Sequence, residues 1–193
     1  QMIAKGHDFP DVTLVGILDA DLGLYHSDFR SAERTFQLVT QVAGRAGRAD
    51  KEGKVLLQTF SPSHYVYRFA SHYDYPGFFA KENNTRKVTG FPPYSTIVRV
   101  LFSSEIEEKA IACTKSVYLG LKAYAAEHRD DFFVLRAMVA PVAKIERHYR
   151  YQIVMRVTKQ SEDAVFGCIH KLLDEYRTRG VSVFAQLDPQ NMM

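Results

Sequence analysis

The sequence predicts an α/β protein in which a parallel strand–helix–strand layer precedes a second domain with the element order β-α-β-β-α-β. Two nearly continuous apolar runs, 11–21 and 54–60, flank a segment with helical periodicity, as in parallel strands joined by a crossover helix. An aromatic-rich stretch with a Phe-Pro-Pro-Tyr run then interrupts the pattern. Beyond residue 96, strand-like and helix-like periods alternate, which indicates a separate α+β domain.

The first layer is predicted from three segments. DVTLVGILDAD, residues 11–21, predicts a strand buried on both faces, and KVLLQTF, residues 54–60, predicts another. Residues 30–43 predict a helix, because their apolar side chains recur at spacings of three and four. Two strands and one helix are too few to close a doubly wound domain. We therefore expect residues 1–60 to be the end of a larger parallel α/β lobe.

Residues 61–95 predict an aromatic-rich helical connector, with short helices near 62–72 and 75–86. The FPPY run, residues 91–94, excludes a helix because proline lacks an N–H and restricts the residue before it. We expect this run to form an extended hinge, with a domain boundary near residue 90.

Residues 96–193 predict the second domain. A strand at 96–102 precedes a long helix at 105–129, whose predicted apolar face includes Ala110, Ile111, Val117, Leu121, Tyr124 and Ala125. Two strands then flank a basic turn at 147–150, and a second helix over 162–180 ends at Gly180. A last strand covers 181–187. This order is the ferredoxin-like arrangement.

The composition is that of an ordinary folded domain, with 46% hydrophobic and 24% charged residues among 193. The net charge of +3 permits an anionic partner. No apolar run is long enough for a membrane span, and Gln1 at the start indicates a fragment or processed product. Cys113 and Cys168 fall in helical apolar patterns, so we expect reduced, core-facing thiols and no metal site within this chain.

The stretch QVAGRAGR, residues 41–48, concentrates two arginines and two glycines. Guanidinium groups match phosphate oxygens in pairs, and glycines let the backbone approach a ligand closely. Two other interpretations remain open for the stretch alone. It is also typical of a helix C-terminus, where arginine favours the dipole and glycine caps. A nucleic-acid-binding GXXG loop fits less well, because such a loop joins two helices and a strand is predicted next.

The neighbouring segments carry a family resemblance. AKGHDFPDVTLVGILDAD, followed after the next helix by QVAGRAGR, resembles motifs V and VI of superfamily 2 helicases. The closer resemblance is to the bacterial primosomal replication-restart DNA helicases, the primosomal protein N′ family. It rests on QMIAKGHDFPDVTLVGILDADLGL, DFRSAERTFQLVTQVAGRAGR, the FPPY hinge and the terminal LDPQNMM. The resemblance extends over essentially the whole chain.

This resemblance implies that residues 1–60 are the end of a RecA-like second motor lobe. Arg48 would be the arginine finger and Arg45 a second contact to the γ-phosphate. Gln41 would couple the nucleotide state to closure of the lobes. Gly6 and Asp8 would lie in the loop that couples nucleotide to DNA, with the Asp8 carboxylate near the ribose or the arginines.

The resemblance also implies a function and its partners. The whole protein would be a cytoplasmic, ATP-dependent 3′-to-5′ DNA helicase that recognises stalled or branched forks and initiates primosome assembly. It would use ATP with Mg²⁺, and zinc bound by cysteines upstream of this chain. Its partners would be forked and single-stranded DNA, the tail of single-strand DNA-binding protein and other primosome proteins, but no membrane.

The 193 residues contain no G-x-x-x-x-G-K-[ST] loop, and no DExx motif follows an apolar strand as a magnesium site, although phosphoryl transfer by this kind of motor needs both. We therefore expect this chain by itself not to hydrolyse ATP. The alternative from another class is a stand-alone nucleic-acid-binding module without ATPase activity. The sequence upstream would distinguish the two.

One predicted strand of the second domain carries candidate binding residues. In RYQIVMRV, residues 150–157, alternation directs Tyr151, Ile153, Met155 and Val157 toward the helices. The candidates for DNA or partner contacts face the other way or lie at the rim: Arg150, Gln152, Arg156 and Arg147, with Arg99 and Lys144. An ordinary solvated surface is the alternative. Ala140-Pro141 and Gln186-Leu187 depart from the family pattern, which has Gly-Pro and a leading acidic residue there.

Overall fold

The computed structural model describes residues 12–25, 28–46 and 53–189, and it is a mixed α/β structure, in agreement with the predicted class. The chain divides into two compact units, Gln1–Thr85 and Arg86–Met193. None of the helices in the described ranges combines the length and apolarity needed to cross a bilayer.

The first unit is built on a two-stranded parallel sheet in which Leu14 lies opposite Lys54 and Ile17 opposite Leu57. Helix α4 crosses the division between the units, and most of its length belongs to the first. The elements are β1 (Leu14–Ile17), α1 (Asp21–Leu24), α2 (Ser31–Ala43), β2 (Lys54–Leu57), α3 (Tyr65–Ser71) and α4 (Tyr75–Thr89). Helices α3 and α4 both lie entirely in the segment 61–95 that was predicted as a connector.

The prediction that both strands are buried on both faces was wrong for the described residues. Each strand is four residues long and alternates between exposed and half-buried positions. Leu14 and Leu56 on the outer face are 58% and 63% exposed, whereas Ile17 and Leu57 pack on the helical core. The reason is that the described helices cover only one side of this pair of strands.

The core of the first unit forms between helices. Phe36 of α2 stacks on Phe78 of α4 with ring centroids 4.2 Å apart. Burial of such side chains is the main source of stability for helices of this length. The buried apolar residues of this core are Ala20, Phe36, Val39, Val66, Tyr67, Ala70 and Phe78.

The second unit contains a four-stranded sheet in the order β4-β5-β3-β6, with every neighbouring pair antiparallel. Single 3₁₀ turns at 129–131 and 159–161 precede β4 and α6. The elements are β3 (Thr96–Ser104), α5 (Glu107–Glu127), β4 (Phe132–Ile145), β5 (His148–Val157), α6 (Glu162–Glu175) and β6 (Ser182–Leu187). Both helices pack on one face of the sheet, and the fully buried core there includes Val98, Val100, Phe102, Val117, Leu121, Ile153, Met155, Val157, Val165 and Ile169.

The buried face of α5 differs from the predicted one. Cys113 and Thr114 are buried between Ala110 and Val117, whereas Ile111 is 42% exposed. The buried stripe follows spacings of three and four residues from Ala110, and Ile111 lies beside it. Cys113 and Cys168 are free thiols, and burial raises the pKa of both.

Two predicted element ends also need correction. Helix α6 ends at Glu175, so Gly180, with φ +86°, shapes the turn before β6 rather than the helix end. The β4–β5 turn consists of Glu146 and Arg147, both with positive φ, as a tight hairpin turn requires. The predicted basic turn at 147–150 is therefore shorter, and Arg150 lies within β5.

The prediction of an extended FPPY hinge was wrong. The Tyr94 N–H donates to the Phe91 carbonyl at 3.0 Å, and the Ser95 hydroxyl donates to the Gly90 carbonyl at 2.7 Å. The segment is a compact turn, because these two bonds close it on itself, and the Phe91 N–H donates at 2.9 Å to the Arg86 carbonyl, which the end of α4 leaves open.

Gly90 adopts φ +62°, and a Cβ added there would lie 2.6 Å from Cδ1 of Phe133. We expect Gly90→Ala to lower the free energy of unfolding by about 1 to 3 kcal/mol, since alanine disfavours this backbone conformation and Phe133 has to move. Gly167→Ala is the matched control, because nothing lies within 4 Å of its added Cβ in α6. It should stabilise by about 0.5 to 1 kcal/mol. Urea unfolding of both variants measures this, and equal stabilities would contradict the assignment.

Candidate functional site

The arginine-rich stretch begins in the last turn of α2. Gln41 lies in that turn and is exposed, and the helix ends at Ala43. The chain keeps turning, since the Gly44 N–H donates to the Thr40 carbonyl at 3.0 Å and the Arg45 N–H to the Val42 carbonyl at 3.1 Å. Gln41 and the half-buried Arg45 are therefore about one turn apart. Gly6, Asp8 and Arg48 lie outside the described residues.

Gly44 does not act as a left-handed helix cap. Its φ of −65° and ψ of −2° suit any residue, and a Cβ added there would lie 3.4 Å from the Thr40 carbonyl oxygen. Backbone conformation therefore does not require glycine here. The missing side chain instead leaves the peptide groups beside Arg45 open to close approach. Strand β2 is the next described element, which disagrees with a GXXG loop between two helices.

A buried carboxylate organises the carboxyl ends of β1 and β2. Asp21 begins α1 and is 4% exposed. Its Oδ1 accepts hydrogen bonds from the Thr59 hydroxyl at 2.7 Å and the Tyr67 hydroxyl at 3.1 Å, and its Oδ2 accepts one from the Phe60 N–H at 2.6 Å. One side chain thus joins α1, the segment after β2 and α3.

The electrostatics of this cluster follow from its burial. Burial by itself raises the pKa of Asp21, but the three hydrogen bonds and the nearby His64 outweigh it and hold that pKa below its ordinary value. Burial lowers the pKa of His64, and Asp21 partly offsets this. The His64 Nδ1 accepts the Val66 N–H at 3.3 Å and caps α3. Burial chiefly raises the pKa of Tyr67 to about 12, so its hydroxyl remains a donor.

A groove of about 670 Å³ lies between α2, β2 and α3 in the same unit. Ala43 in the last turn of α2 lines it, together with Thr59 and Tyr67 from the Asp21 cluster. The lining is otherwise mainly apolar: Val39, Val55, Leu57, Pro62 and Ala70, with Ser63, Arg68, Ser71 and Tyr73.

In the second unit, the face of the sheet opposite α5 and α6 carries a cluster of basic side chains, and we call it the helix-free face because neither of these two helices covers it. The register places Arg99 on β3 opposite Val154, and Val154 opposite Arg136 on β4. Arg150 and Arg156 project from β5 on the same face, because strand residues two apart point the same way. None of the described strand positions on this face is acidic: 97, 99, 101 and 103; 134, 136 and 138; 150, 152, 154 and 156; 182, 184 and 186.

The arginines on this face influence one another. Burial and the neighbouring Arg150 lower the pKa of Arg99, and burial and Arg136 lower the pKa of Arg156. Asp188 lies just after β6, and its Oδ1 accepts a hydrogen bond from the Ile97 N–H at 2.9 Å. The face thus concentrates positive charge in a partly desolvated setting, which favours an anionic ligand.

The predicted binding residues have different environments. Arg147 is exposed in the β4–β5 turn, and Arg150 donates to the Val142 carbonyl at 3.3 Å. Gln152 is only 2% exposed, and its Oε1 has no hydrogen-bond partner among the described residues. Lys144 pairs with Tyr149 and lies over that ring at 4.1 Å. It therefore belongs to the opposite face from Arg150, because the irregularity between Val139 and Lys144 shifts the register.

Arg156 contacts the end of α4. Its Nη1 donates to the Thr89 carbonyl at 2.5 Å and to the Gly90 carbonyl at 3.4 Å, and its guanidinium lies 4.1 Å from the centre of the Phe91 ring. This residue was predicted as a DNA or partner contact, and in the structure it holds the last carbonyls of a helix. Arg150 and Arg147 are the more available of the predicted cations.

Sequence reasoning missed three residues that the structure brings forward. Asp21 is the last residue of the segment predicted as the first strand, and it was not singled out because its donors come from distant segments. Arg136 and Phe184 occupy alternate strand positions in FVLRAMV and VSVFAQL. That alternation could have assigned both side chains to one face of a strand. It does not identify which residues lie beside them on the adjacent strands.

Comparison with known proteins identifies the family. Residues 87–190 match the model of the primosomal protein N C-terminal domain. The whole chain is 40% identical to the replication restart protein PriA of Bacillus subtilis over 197 residues, and of Treponema pallidum over 194 residues. The Chlamydia trachomatis protein of the same name is 43% identical over 122 residues, which cover 63% of the chain and 16% of that protein.

The chain spans about a quarter of the length of these relatives, with 24% of the Bacillus protein and 29% of the Treponema protein covered. The family-model match covers more than half of the chain, and the identities above 30% continue over its full length. The chain therefore belongs to the primosomal protein N C-terminal domain family.

Proposed function

We propose that this chain is the C-terminal part of an ATP-dependent 3′-to-5′ DNA helicase that recognises stalled or branched replication forks and initiates primosome assembly. The relatives are named replication restart proteins, which supports the proposal. The chain has no P-loop and no DExx motif after an apolar strand, so by itself it does not hydrolyse ATP. The longer protein binds ATP with Mg²⁺, binds zinc elsewhere and acts in the cytoplasm.

In this proposal, the first unit is the end of a RecA-like motor lobe. Parallel strands joined through a helix support this assignment. Arg48 is the arginine finger, Arg45 contacts the γ-phosphate and Gln41 couples nucleotide binding to lobe closure. Gly6 and Asp8 couple the nucleotide to DNA. The half-buried Arg45, one turn beyond Gln41, is suitably placed for a role in which both side chains meet one ligand.

The second unit is, in this proposal, a ferredoxin-like domain that binds DNA. Its element order and its antiparallel strand order β4-β5-β3-β6 support the fold assignment. The observation that carries the DNA-binding role is the helix-free sheet face, which presents arginines from three adjacent strands and no acidic side chain at its described strand positions. Phosphate contacts of this kind dominate nucleic-acid affinity. The domain also docks the tail of single-strand DNA-binding protein and other primosome proteins.

The test is salt-dependent binding of the 193-residue chain to fluorescent forked and linear DNA. We expect the double variant Arg147→Gln/Arg150→Gln to weaken fork binding and to lower the slope of log K against log salt by about one per lost phosphate contact. Lys115→Gln/Lys122→Gln is the control, since it removes the same charge from exposed positions on α5, on the other side of the sheet. If the arginine variant and the control bind fork DNA and the single-strand-binding-protein tail equally well, the sheet face is not the binding site.

A further inference from the structure

We propose that the helix-free sheet face holds single-stranded DNA by stacking a base on Phe184, with arginines on either side binding the flanking phosphates. This inference rests on the proposed DNA-binding role of the face and deepens it. It adds a residue that contacts bases, whereas the arginines alone account only for contacts to the backbone.

The register aligns the residues concerned in rows across the four strands. Phe184 on β6 lies opposite Leu101 on β3, Leu101 opposite Gln152 on β5, and Gln152 opposite Met138 on β4. We call these four residues the Phe184 row. One row away lie Arg99 and Arg136, and on the other side lies Arg150.

The two ends of the Phe184 row, Phe184 and Met138, are open to a ligand. Phe184 is 57% exposed and Met138 is 41% exposed, although both are large apolar side chains. Neighbouring strands are about 4.8 Å apart, so the row spans roughly 14 Å. An exposed aromatic ring with cations in the neighbouring rows is the combination by which sheet surfaces hold unpaired bases while neutralising the backbone.

Gln152 supplies an additional polar contact in the middle of the row. Its Oε1 has no hydrogen-bond partner among the described residues, although the side chain is 2% exposed. Buried amide oxygens normally accept a hydrogen bond. The exocyclic amine of an unpaired base provides such a donor, while Arg99, which donates to Gln186 Oε1 at 2.5 Å in the next row, adds positive charge beside it.

This chemistry favours a single strand over a duplex. A duplex presents its phosphates to the arginines but keeps the faces of its bases stacked inside, so the exposed ring of Phe184 gains nothing from it. A single strand offers both groups at once. An acidic peptide also satisfies the arginines, and binding of such a peptide through Phe184 is the rival outcome of the test.

The experiment measures binding of the 193-residue chain to a fluorescent 12-nucleotide single strand, to a duplex of the same length and to an acidic peptide. We expect Phe184→Ala to weaken single-strand binding about 5- to 150-fold, the range that one stacked base contributes, and to leave duplex binding unchanged. Phe184→Tyr should retain affinity, whereas Phe184→Leu should lose it, since leucine is apolar but has no ring. Phe79→Ala is the control, because Phe79 is a 54% exposed phenylalanine on α4.

The outcomes separate this inference from the proposed function. If Phe184→Ala binds the single strand like the unaltered chain while Arg147→Gln/Arg150→Gln weakens all DNA, stacking is wrong and the DNA-binding role of the face remains. If Phe184→Leu retains full affinity, burial rather than stacking explains the effect and the inference fails. The inference also fails if the Phe184 variants lose affinity for the acidic peptide but keep full affinity for the single strand. Circular dichroism of each variant verifies that the sheet is intact.

Discussion

Arg48→Ala should lower the DNA-stimulated ATP turnover of the longer protein by about 10³-fold or more, the range that an arginine finger contributes to phosphoryl transfer. A guanidinium at the γ-phosphate stabilises charge that develops in the transition state. Its loss should therefore reduce kcat much more than it weakens ATP binding. Steady-state ATPase assays with saturating single-stranded DNA, combined with a direct measurement of nucleotide affinity, distinguish the two effects.

Arg45→Ala and a control variant test whether the loss of ATP turnover is specific to the arginines at the γ-phosphate. Arg45→Ala should also reduce turnover, but with a larger effect on ATP affinity, because a second γ-phosphate contact already acts in the bound state. Arg34→Ala is the matched control, since Arg34 is an exposed arginine on α2 of the same unit and pairs with Asp28 at the surface. It should leave turnover unchanged. Normal DNA-stimulated turnover by Arg48→Ala would refute the finger assignment without affecting the sheet-face proposals.

Asp21→Ala should strongly destabilise the first unit and lower the melting temperature of the 193-residue chain by several degrees. The substitution removes the common acceptor of the Thr59 and Tyr67 hydroxyls and the Phe60 N–H. Donors that stay buried without an acceptor cost more than the hydrogen bond itself contributes. Thermal unfolding followed by circular dichroism measures the effect.

A graded series tests the cause of that loss. Asp21→Asn should be milder than Asp21→Ala, because the two hydroxyls can rotate to accept from the amide while its oxygen still faces the Phe60 N–H. Tyr67→Phe should be milder again, since it removes a single donor. Asp19→Asn is the control, because Asp19 is exposed and asparagine tolerates its φ of 49°. Equal losses for Asp19→Asn and Asp21→Asn would contradict the assignment.

The stabilisation from Asp21 should depend on pH in a defined direction. The pKa of this carboxyl is lowered on folding, so the unfolded chain binds the proton more readily. The stabilisation is complete above the unfolded pKa of about 4 and is lost as the pH falls through the folded value. The difference in unfolding free energy between the unaltered chain and Asp21→Asn should therefore be constant from about pH 7 to 5 and should shrink below about pH 4. A difference that shrinks near about pH 6 instead would identify another titrating group.

Local sequence patterns predicted much of the fold because they report local geometry. The apolar spacing of residues 30–43 located α2 within one residue at each end, since helical period is a property of the segment itself. Alternation in residues 150–157 correctly directed Ile153, Met155 and Val157 to the helices. The same local view failed at FPPY, where hydrogen bonds from Tyr94 and Ser95 close a turn that proline preferences do not predict.

The candidate sites were predictable to different extents. QVAGRAGR is contiguous, so it could be singled out in the sequence, but the phosphate-binding roles of Arg45 and Arg48 came from the family resemblance and stay predictions. The sheet face was only half predictable, since alternation selected Arg150, Gln152 and Arg156 but did not reveal their neighbours. In the structure Arg156 holds the carbonyls at the end of α4, 66 and 67 residues away in the sequence.

By itself, the sequence predicted the order of the longer helices and strands and contained the motif that indicates a motor, because both depend on contiguous residues. Tertiary structure alone decided which polar groups meet Asp21, whose partners are 38 to 46 residues away. It likewise decided that Phe184, Leu101, Gln152 and Met138 form one row. Strand register and helix packing set such neighbours, and both arise from burial shared among distant segments rather than from the preference of any one of them.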